Sequence, residues 1–255
     1  MTLNKKRILI TRPTEQADTL SQLISSNDGV SIQLPTIQIR PLEKTKELLK
    51  DVNDLKLSDF IIFVSRNAVK VAFDHFLNNI EIFSSIKIIA LGPGTMRELA
   101  ARGFKDIIYS NQADTEGLLM LKEIQDKRIS GKKVSIVRGV GGRELLARNL
   151  KERGANVKYI DIYKRSLPHY DQTELDEVWC KKKPDIILVT SIDILDNLMI
   201  LFKNYKNELL DIPLVVISDR VSKYAKKIGF ISKICIVKEK EDSGIFQCLL
   251  EIAGE

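Results

Sequence analysis

The sequence predicts an α/β protein built from two copies of one unit. Two observations carry this reading. Short apolar runs alternate with amphipathic stretches along the whole chain, the pattern of strands connected through helices. The second half also repeats the first at a near-constant offset. Arg12 and Arg138 stand 126 positions apart, as do the serines closing FIIFVS (Ser65) and IILVTS (Ser191). IIALG matches VVIS and Gly103-Phe104 matches Gly229-Phe230 at the same spacing, while DTEG (114–117) matches EDSG (241–244) at 127. Generic alternation predicts no fixed offset, so the chain reads as a duplicated unit of about 125 residues, an ordinary domain size.

In chain order, RILITRP supplies the first strand and runs into TEQADTLSQLISS, whose Ala17, Leu20, Leu23 and Ile24 fall on one helical face. Gly29 is placed to stop that helix. Further strands are expected at Phe60–Val64, Ile86–Leu91, Val134–Val137, Ile186–Val189, Leu214–Ile217 and Ile234–Val237. Two segments break the rhythm, VSIQLPTIQIRP (30–41) and VKYIDIYKRSLP (157–168). Each is long, extended and closed by proline, which strand ends and edges tolerate. They are expected to cross between two lobes, with a cleft between the lobes as the expected ligand site.

Composition narrows the class. Hydrophobic residues at 44% and charged ones at 29% are those of a globular chain, and 255 residues suffice for one large or two modest domains. Forty Lys+Arg against 34 Asp+Glu give a net charge of +6, which favours an anionic partner. Nucleic acid is not expected, because no Lys/Arg run exceeds Lys181–Lys183 and aromatics do not interleave with the basic residues. Cys180, Cys235 and Cys248 are scattered, with no CxxC and no nearby His, so neither a metal site nor a disulfide framework is expected. The run after Lys5-Lys6-Arg7 is too short for a signal peptide, and no stretch approaches a membrane span. A cytoplasmic protein without a membrane partner is the expectation.

Candidate chemistry collects where strands run into helices. The turn GVGGRE (139–144) carries Gly139, Gly141 and Gly142, but a dinucleotide fingerprint needs a glycine where Glu144 stands; LGPGTMRE has Arg97 there. These turns therefore bind a different anion through backbone N–H groups and Arg143, or serve only as tight βα connections. Polar residues follow the strands in both halves: Arg12; Ser65, Arg66 and Asn67; Gly92 to Thr95; Arg138; Thr190 and Ser191; Ser218 and Arg220. In open α/β sheets these carboxyl ends line the ligand crevice. Singly, the Ser, Thr and Asn residues suit helix caps; together they suit a multivalent carboxylate or phosphate. His75 and His169 read as structural or solvated. Tyr159, Asp161 and Tyr163 share a face in strand alternation, and Tyr163 is a proton or hydrogen-bond donor, or a packing residue.

With these pieces in place the chain resembles the uroporphyrinogen-III synthase family. The resemblance rests on ITRP (10–13), LPTIQIRPLE (34–43), FIIFVSRNAV (60–69), ALGPGTMREL (90–99), DTEGLL (114–119), the block VRGVGGRELLARNLKERGANVKYIDIYKRSLP (137–168), VTSIDIL (189–195) and IGF (228–230). It implies two flavodoxin-like parallel-sheet lobes joined by a two-stranded linker. Residues 1–36 with 168–255 would form a discontinuous first lobe, 41–161 the second, and 37–40 with 162–167 the linker. It further implies a cyclising lyase that closes hydroxymethylbilane, inverts the last pyrrole ring and loses water, without cofactor or metal. The enzyme would be a monomer meeting the preceding deaminase transiently. Tyr163 matches the family's tyrosine proposed to assist loss of the hydroxyl. Arg12, Ser65, Arg66, Asn67, Gly92, Thr95, Arg138, Gly141, Gly142, Arg143, Thr190, Ser191, Ser218 and Arg220 are the expected substrate-binding residues.

One segment departs from the family pattern. SDRVS (218–222) stands where a Gly-Pro-x-Thr turn is expected, so Val221 lacks the threonine hydroxyl and Asp219 adds an acid near a polyanion site. That motivates an alternative, a slow or non-catalytic homologue that binds a tetrapyrrole or similar polyacid. A nucleotide-dependent enzyme is a third class, resting on the glycine turns alone.

Overall fold

The computed structural model describes residues 2–112, 114–142, 144–239 and 241–254. The chain divides into two compact units, Met1–Gln38 with Ser166–Glu255, and Ile39–Arg165. The first unit opens with β1 (Arg7–Ile10), α1 (Asp18–Ser26) and β2 (Val30–Gln33). The second contains β3 (Gln38–Pro41), α2 (Lys46–Asn53), β4 (Phe60–Phe63), α3 (Arg66–Val71), β5 (Lys87–Ala90), α4 (Pro93–Ala101) and β6 (Ile107–Tyr109). It continues through α5 (Thr115–Leu119), α6 (Asp126–Ile129), β7 (Lys133–Gly139), α7 (Leu145–Glu152) and β8 (Asn156–Ser166). The chain then completes the first unit with α8 (Gln172–Asp176), β9 (Ile186–Val189), α9 (Ile192–Leu201), α10 (Lys206–Leu210), β10 (Leu214–Val216), α11 (Asp219–Lys227), β11 (Ile234–Ile236) and α12 (Asp242–Ala253).

The first unit holds a five-stranded sheet in the order β11-β10-β9-β1-β2, and the second a six-stranded sheet in the order β3-β8-β7-β4-β5-β6. The pairings β2–β1–β9–β10–β11 and β8–β7–β4–β5–β6 are all parallel. The strands matched by the 126-residue offset occupy equivalent places in the two sheets: β1 with β7, β2 with β8, β4 with β9 and β5 with β10. The central strands FIIF and IILV are buried at every position, because helices cover both faces of a parallel sheet. In the second unit one face packs Ile61, Phe63, Val137 and Ile160, and the other packs Ile62, Ile89, Val134 and Ile136.

Three sequence expectations change. The helix before Gly29 ends at Ser26, and Asp28, at φ 58°, takes the left-handed position. Gly29 is needed for space, since a Cβ there would lie 2.6 Å from Leu3 Cδ1. The three-residue strand β6 is too short to show a period in sequence. The two crossing segments also differ from each other. Residues 30–41 split into β2 in one sheet and β3 in the other, whereas Asn156–Ser166 stays in one sheet and adjoins β3 there. Between β2 and β3, the Thr36 hydroxyl donates to the Ile194 carbonyl at 3.1 Å and Asn197 Nδ2 donates to the Thr36 carbonyl at 2.7 Å, holding this stretch on the first unit.

Candidate functional site

The candidate residues sit at or just beyond the carboxyl ends of the parallel strands, and the serines among them are held there by helix capping. Ser65, Ser191 and Ser218 are N-caps of α3, α9 and α11, each accepting an N–H three residues on. Gly92 precedes α4, with Pro93 in the first helical position. Capping fixes these hydroxyls yet leaves each helix with further unpaired N–H groups, which suit an anion. Asn67 is half-buried, Arg66 and Arg220 are exposed, and Thr190 follows the last residue of β9. Thr95 is buried on α4, and its counterpart Val221 on α11 is 1% exposed. The valine thus fills the threonine's place in packing without its hydroxyl. Ser222 beside it is buried, while Asp219 and Arg220 are exposed. Arg143 lies outside the described residues.

Arg12 and Arg138, paired by the internal offset, end the equivalent strands β1 and β7. Their partners differ. Arg12 is 8% exposed; its Nη1 donates to Asp242 Oδ1 at 2.8 Å, but its buried Nε and Nη2 have no hydrogen-bond partner among the described residues. Buried donors left unpaired cost about 1–3 kcal/mol each, so this guanidinium is primed for an anionic ligand. Arg138 is already engaged. Its Nε donates to Asp161 Oδ1 at 2.8 Å, its Nη1 donates to Glu144 Oε1 at 3.0 Å, and it stacks 3.4 Å from the Tyr159 ring centroid. Burial works against its charge, but Asp161 and Glu144 more than offset this and raise its pKa. Arg138 is therefore already paired with two carboxylates. Gly141, at φ +81°, makes the turn, and Gly142 leaves space for Arg138, whose Cδ would lie 3.4 Å from a Cβ there.

Tyr163 does not share a face with Tyr159. Arg138 pairs with Asp161 and Gly139 with Tyr163, so Ile162 is an extra residue in β8. This bulge reverses the alternation. Tyr163 joins Ile160 and Ile162 on one side of the sheet, while Tyr159 packs on the other with Val134 and Ile136. The Tyr163 ring is 2% exposed and lies against Gly139, where a Cβ would approach its Cε2 to 2.5 Å. Its hydroxyl is 3.1 Å from Ser65 Oγ, which also accepts the Ala68 N–H at 3.0 Å.

The uroporphyrinogen-III synthase HemD family model matches residues 18–247. The chain belongs to the uroporphyrinogen-III synthase family. The uroporphyrinogen-III synthases of Escherichia coli K12 and Salmonella typhimurium LT2 are each 30% identical to it over 227 residues, covering 88% of this chain and 92% of theirs. The crystal structure of uroporphyrinogen-III synthetase from Helicobacter pylori has the same fold, with TM-score 0.66, 18% identity, and 97% of this chain and 99% of that chain covered. A mutant synthase from Thermus thermophilus gives TM-score 0.58 at 15% identity, covering 96% and 99%.

Within this family frame, several residues at the site escape sequence reading. Asp242, Glu144 and Asp161 become arginine partners only through the strand register and the turn after β7. In sequence, Glu144 showed only as a failed glycine position. Away from the rims, Cys235 and Cys248 come together with Glu251, their ligand atoms all within 4.8 Å of one another. They sit 13 residues apart in sequence, and packing of α12 on β11 joins them. Burial pushes the Cys235 thiol up, keeping it neutral. No helix among the described residues is long and apolar enough to cross a membrane.

Proposed function

We propose that this protein closes hydroxymethylbilane to uroporphyrinogen III, inverting ring D as water leaves. The observation that carries this reading is the duplicated rim, in which the equivalent strands β1 and β7 each lead to an arginine at their carboxyl end, next to strands that run into serine-capped helices, in a chain whose family match spans 18–247. The substrate's eight carboxylates call for many such donors. Arg12, with two unpaired buried donors, takes one carboxylate; the backbone N–H groups at Gly92–Thr95, Gly141–Gly142, Ser65–Asn67, Thr190–Ser191 and Ser218–Arg220 take others, with Arg66, Arg143 and Arg220 adding charge. Val221 removes one hydroxyl from this set, and its backbone N–H is taken by the Ser218 cap.

Departure of the hydroxyl leaves an electrophilic azafulvene, and a hydrogen-bond donor lowers the barrier to it. We assign that donor to Tyr163, with Ser65 aiming the phenol from the start of α3. Holding the flexible chain curled supplies the selectivity for the inverted isomer. Residues 37–40 and 162–167 act as the linker between lobes spanning 1–36 with 168–255, and 41–161. The protein works as a cytoplasmic monomer that receives its substrate from the preceding deaminase. A non-catalytic polyacid binder is the reading the family match disfavours.

The deciding experiment supplies hydroxymethylbilane in situ and separates the oxidised products by isomer. Isomer III forming faster than the spontaneous background is expected. Isomer I alone at the uncatalysed rate overturns the assignment.

A further inference from the structure

A cavity of about 310 Å³ opens at the carboxyl end of the second sheet, walled by Val64, Leu91, Ile136 and Leu146, with Arg138 and Tyr159 on one polar side and Asp114, whose carboxylate caps α5 by accepting the Gly117 N–H, and Thr115 on the other. It lies over β7 and β4, where the crossover direction reverses in the strand order β8-β7-β4-β5, the position at which open α/β sheets bind ligands. The volume is at the small end of ligand cavities, so it admits one ring of a tetrapyrrole and not four.

Its polar side is asymmetric. Asp161 is fixed on Arg138 by the β7–β8 ladder. Glu144 is not: its side chain is 69% exposed and follows the Gly141–Gly142 turn. The Tyr159 hydroxyl is buried beside the Glu144 carboxylate and the Ala147 backbone, without a well-aligned hydrogen bond among the described residues. Burial, with the neighbouring Glu144 carboxylate adding to it, pushes this phenol up to about 12, so it remains a donor at every physiological pH. One exposed carboxylate thus rests against a buried guanidinium and a buried phenol, at the mouth of the cavity.

Building on the assigned reaction, we propose that this cavity seats one pyrrole ring of the substrate, whose carboxylate displaces Glu144 from Arg138 and takes the Tyr159 hydroxyl as a second donor. The exchange leaves the local charge unchanged, one carboxylate replacing another. Glu144, already 69% exposed, regains water at little cost, and the buried Arg138 keeps a carboxylate partner throughout. The ring gains apolar burial against Ile136 and Leu146. Glu144 therefore acts as a built-in competitor that keeps Arg138 paired until substrate arrives.

The test uses a monopyrrole carrying one acetate and one propionate chain, titrated by calorimetry into wild type, Glu144→Gln and Tyr159→Phe. Glu144→Gln is expected to tighten binding several-fold and to lower KM for the tetrapyrrole. Tyr159→Phe is expected to weaken binding three- to tenfold with Tm little changed, because the hydroxyl it removes has only the exposed Glu144 carboxylate and the Ala147 backbone beside it. A Glu144→Gln variant that binds equally or more weakly overturns the competitor role. A Tyr159→Phe variant that binds like wild type, or loses Tm, overturns the donor role. The wild-type isomer assay reads the reaction separately: isomer III with unchanged monopyrrole affinities rejects the subsite and keeps the reaction. Isomer I alone with the expected affinities rejects the reaction and keeps the subsite.

Discussion

Tyr163 and Ser65 share one hydrogen bond at 3.1 Å, and Ser65 in turn accepts the Ala68 N–H. Removing the phenol oxygen leaves the serine still satisfied by the helix, so Tyr163→Phe is expected to fold normally. We expect its kcat to fall about tenfold, or ~1.4 kcal/mol of transition-state stabilisation, with KM little changed; kinetics and a thermal melt check this. A normal kcat makes the tyrosine a packing residue. A second residue-scale case is Asp185, which takes two hydrogen bonds from the Arg7 side chain at 2.9 Å and one from its backbone N–H at 2.8 Å. The Arg7 side chain, chiefly, holds its carboxyl below the usual carboxylate range. A depressed folded pKa stabilises above the unfolded value of about 3.9 and is lost as pH falls through the folded value. Asp185→Asn is thus expected to cost about 1–2 kcal/mol at pH 7. Denaturant melts across pH should show that gap closing below about pH 4.

The bulge in β8 sets where two tyrosines point, and it was invisible in sequence. Alternation from Tyr159 places Tyr163 on the same side; only the extra residue Ile162 in the pairing with β7 reverses it. The buried central strands were legible because FIIF and IILV have no polar position to place toward solvent. Among the rim residues, the serine caps were legible as capping types, whereas the partners of Arg12 and Arg138 depend on register and turn shape. The bulge leans on a glycine. At Gly139 an added Cβ meets the Tyr163 ring at 2.5 Å, and the ring is wedged among buried neighbours. Gly139→Ala is therefore expected to destabilise the protein by about 1–3 kcal/mol, as overpacking does, and to lower activity by moving the phenol. An unchanged Tm would show that the ring shifts freely.

At the scale of the molecule, the duplication was legible from the constant offset, and the two sheets share one strand order. The second unit, Ile39–Arg165, is continuous in sequence, with its own six-stranded sheet and buried clusters on both faces. A fragment of residues 39–165 is expected to fold alone. Cooperative unfolding and protected amides in β4 and β7 would establish this; a chain with neither would tie its stability to the rest of the protein.

The strand orders have one more consequence. The first repeat carries β1 to β6, and the second carries β7 to β11. Yet β1 and β2 pair with β9, and β7 and β8 pair with β4. The first repeat therefore gives two strands to one sheet and four to the other, the second gives two and three, and the edge strand β3 has no counterpart. This is a domain swap within a single chain, the arrangement two copies of a 126-residue ancestor would adopt by exchanging their first strands. Cutting the chain between the repeats would leave neither piece with a complete sheet, although the natural lobe boundaries cut elsewhere. Repeat and compact unit are different divisions of this molecule: the chain passes between the units at Gln38–Ile39 and Arg165–Ser166, and neither point is a repeat boundary.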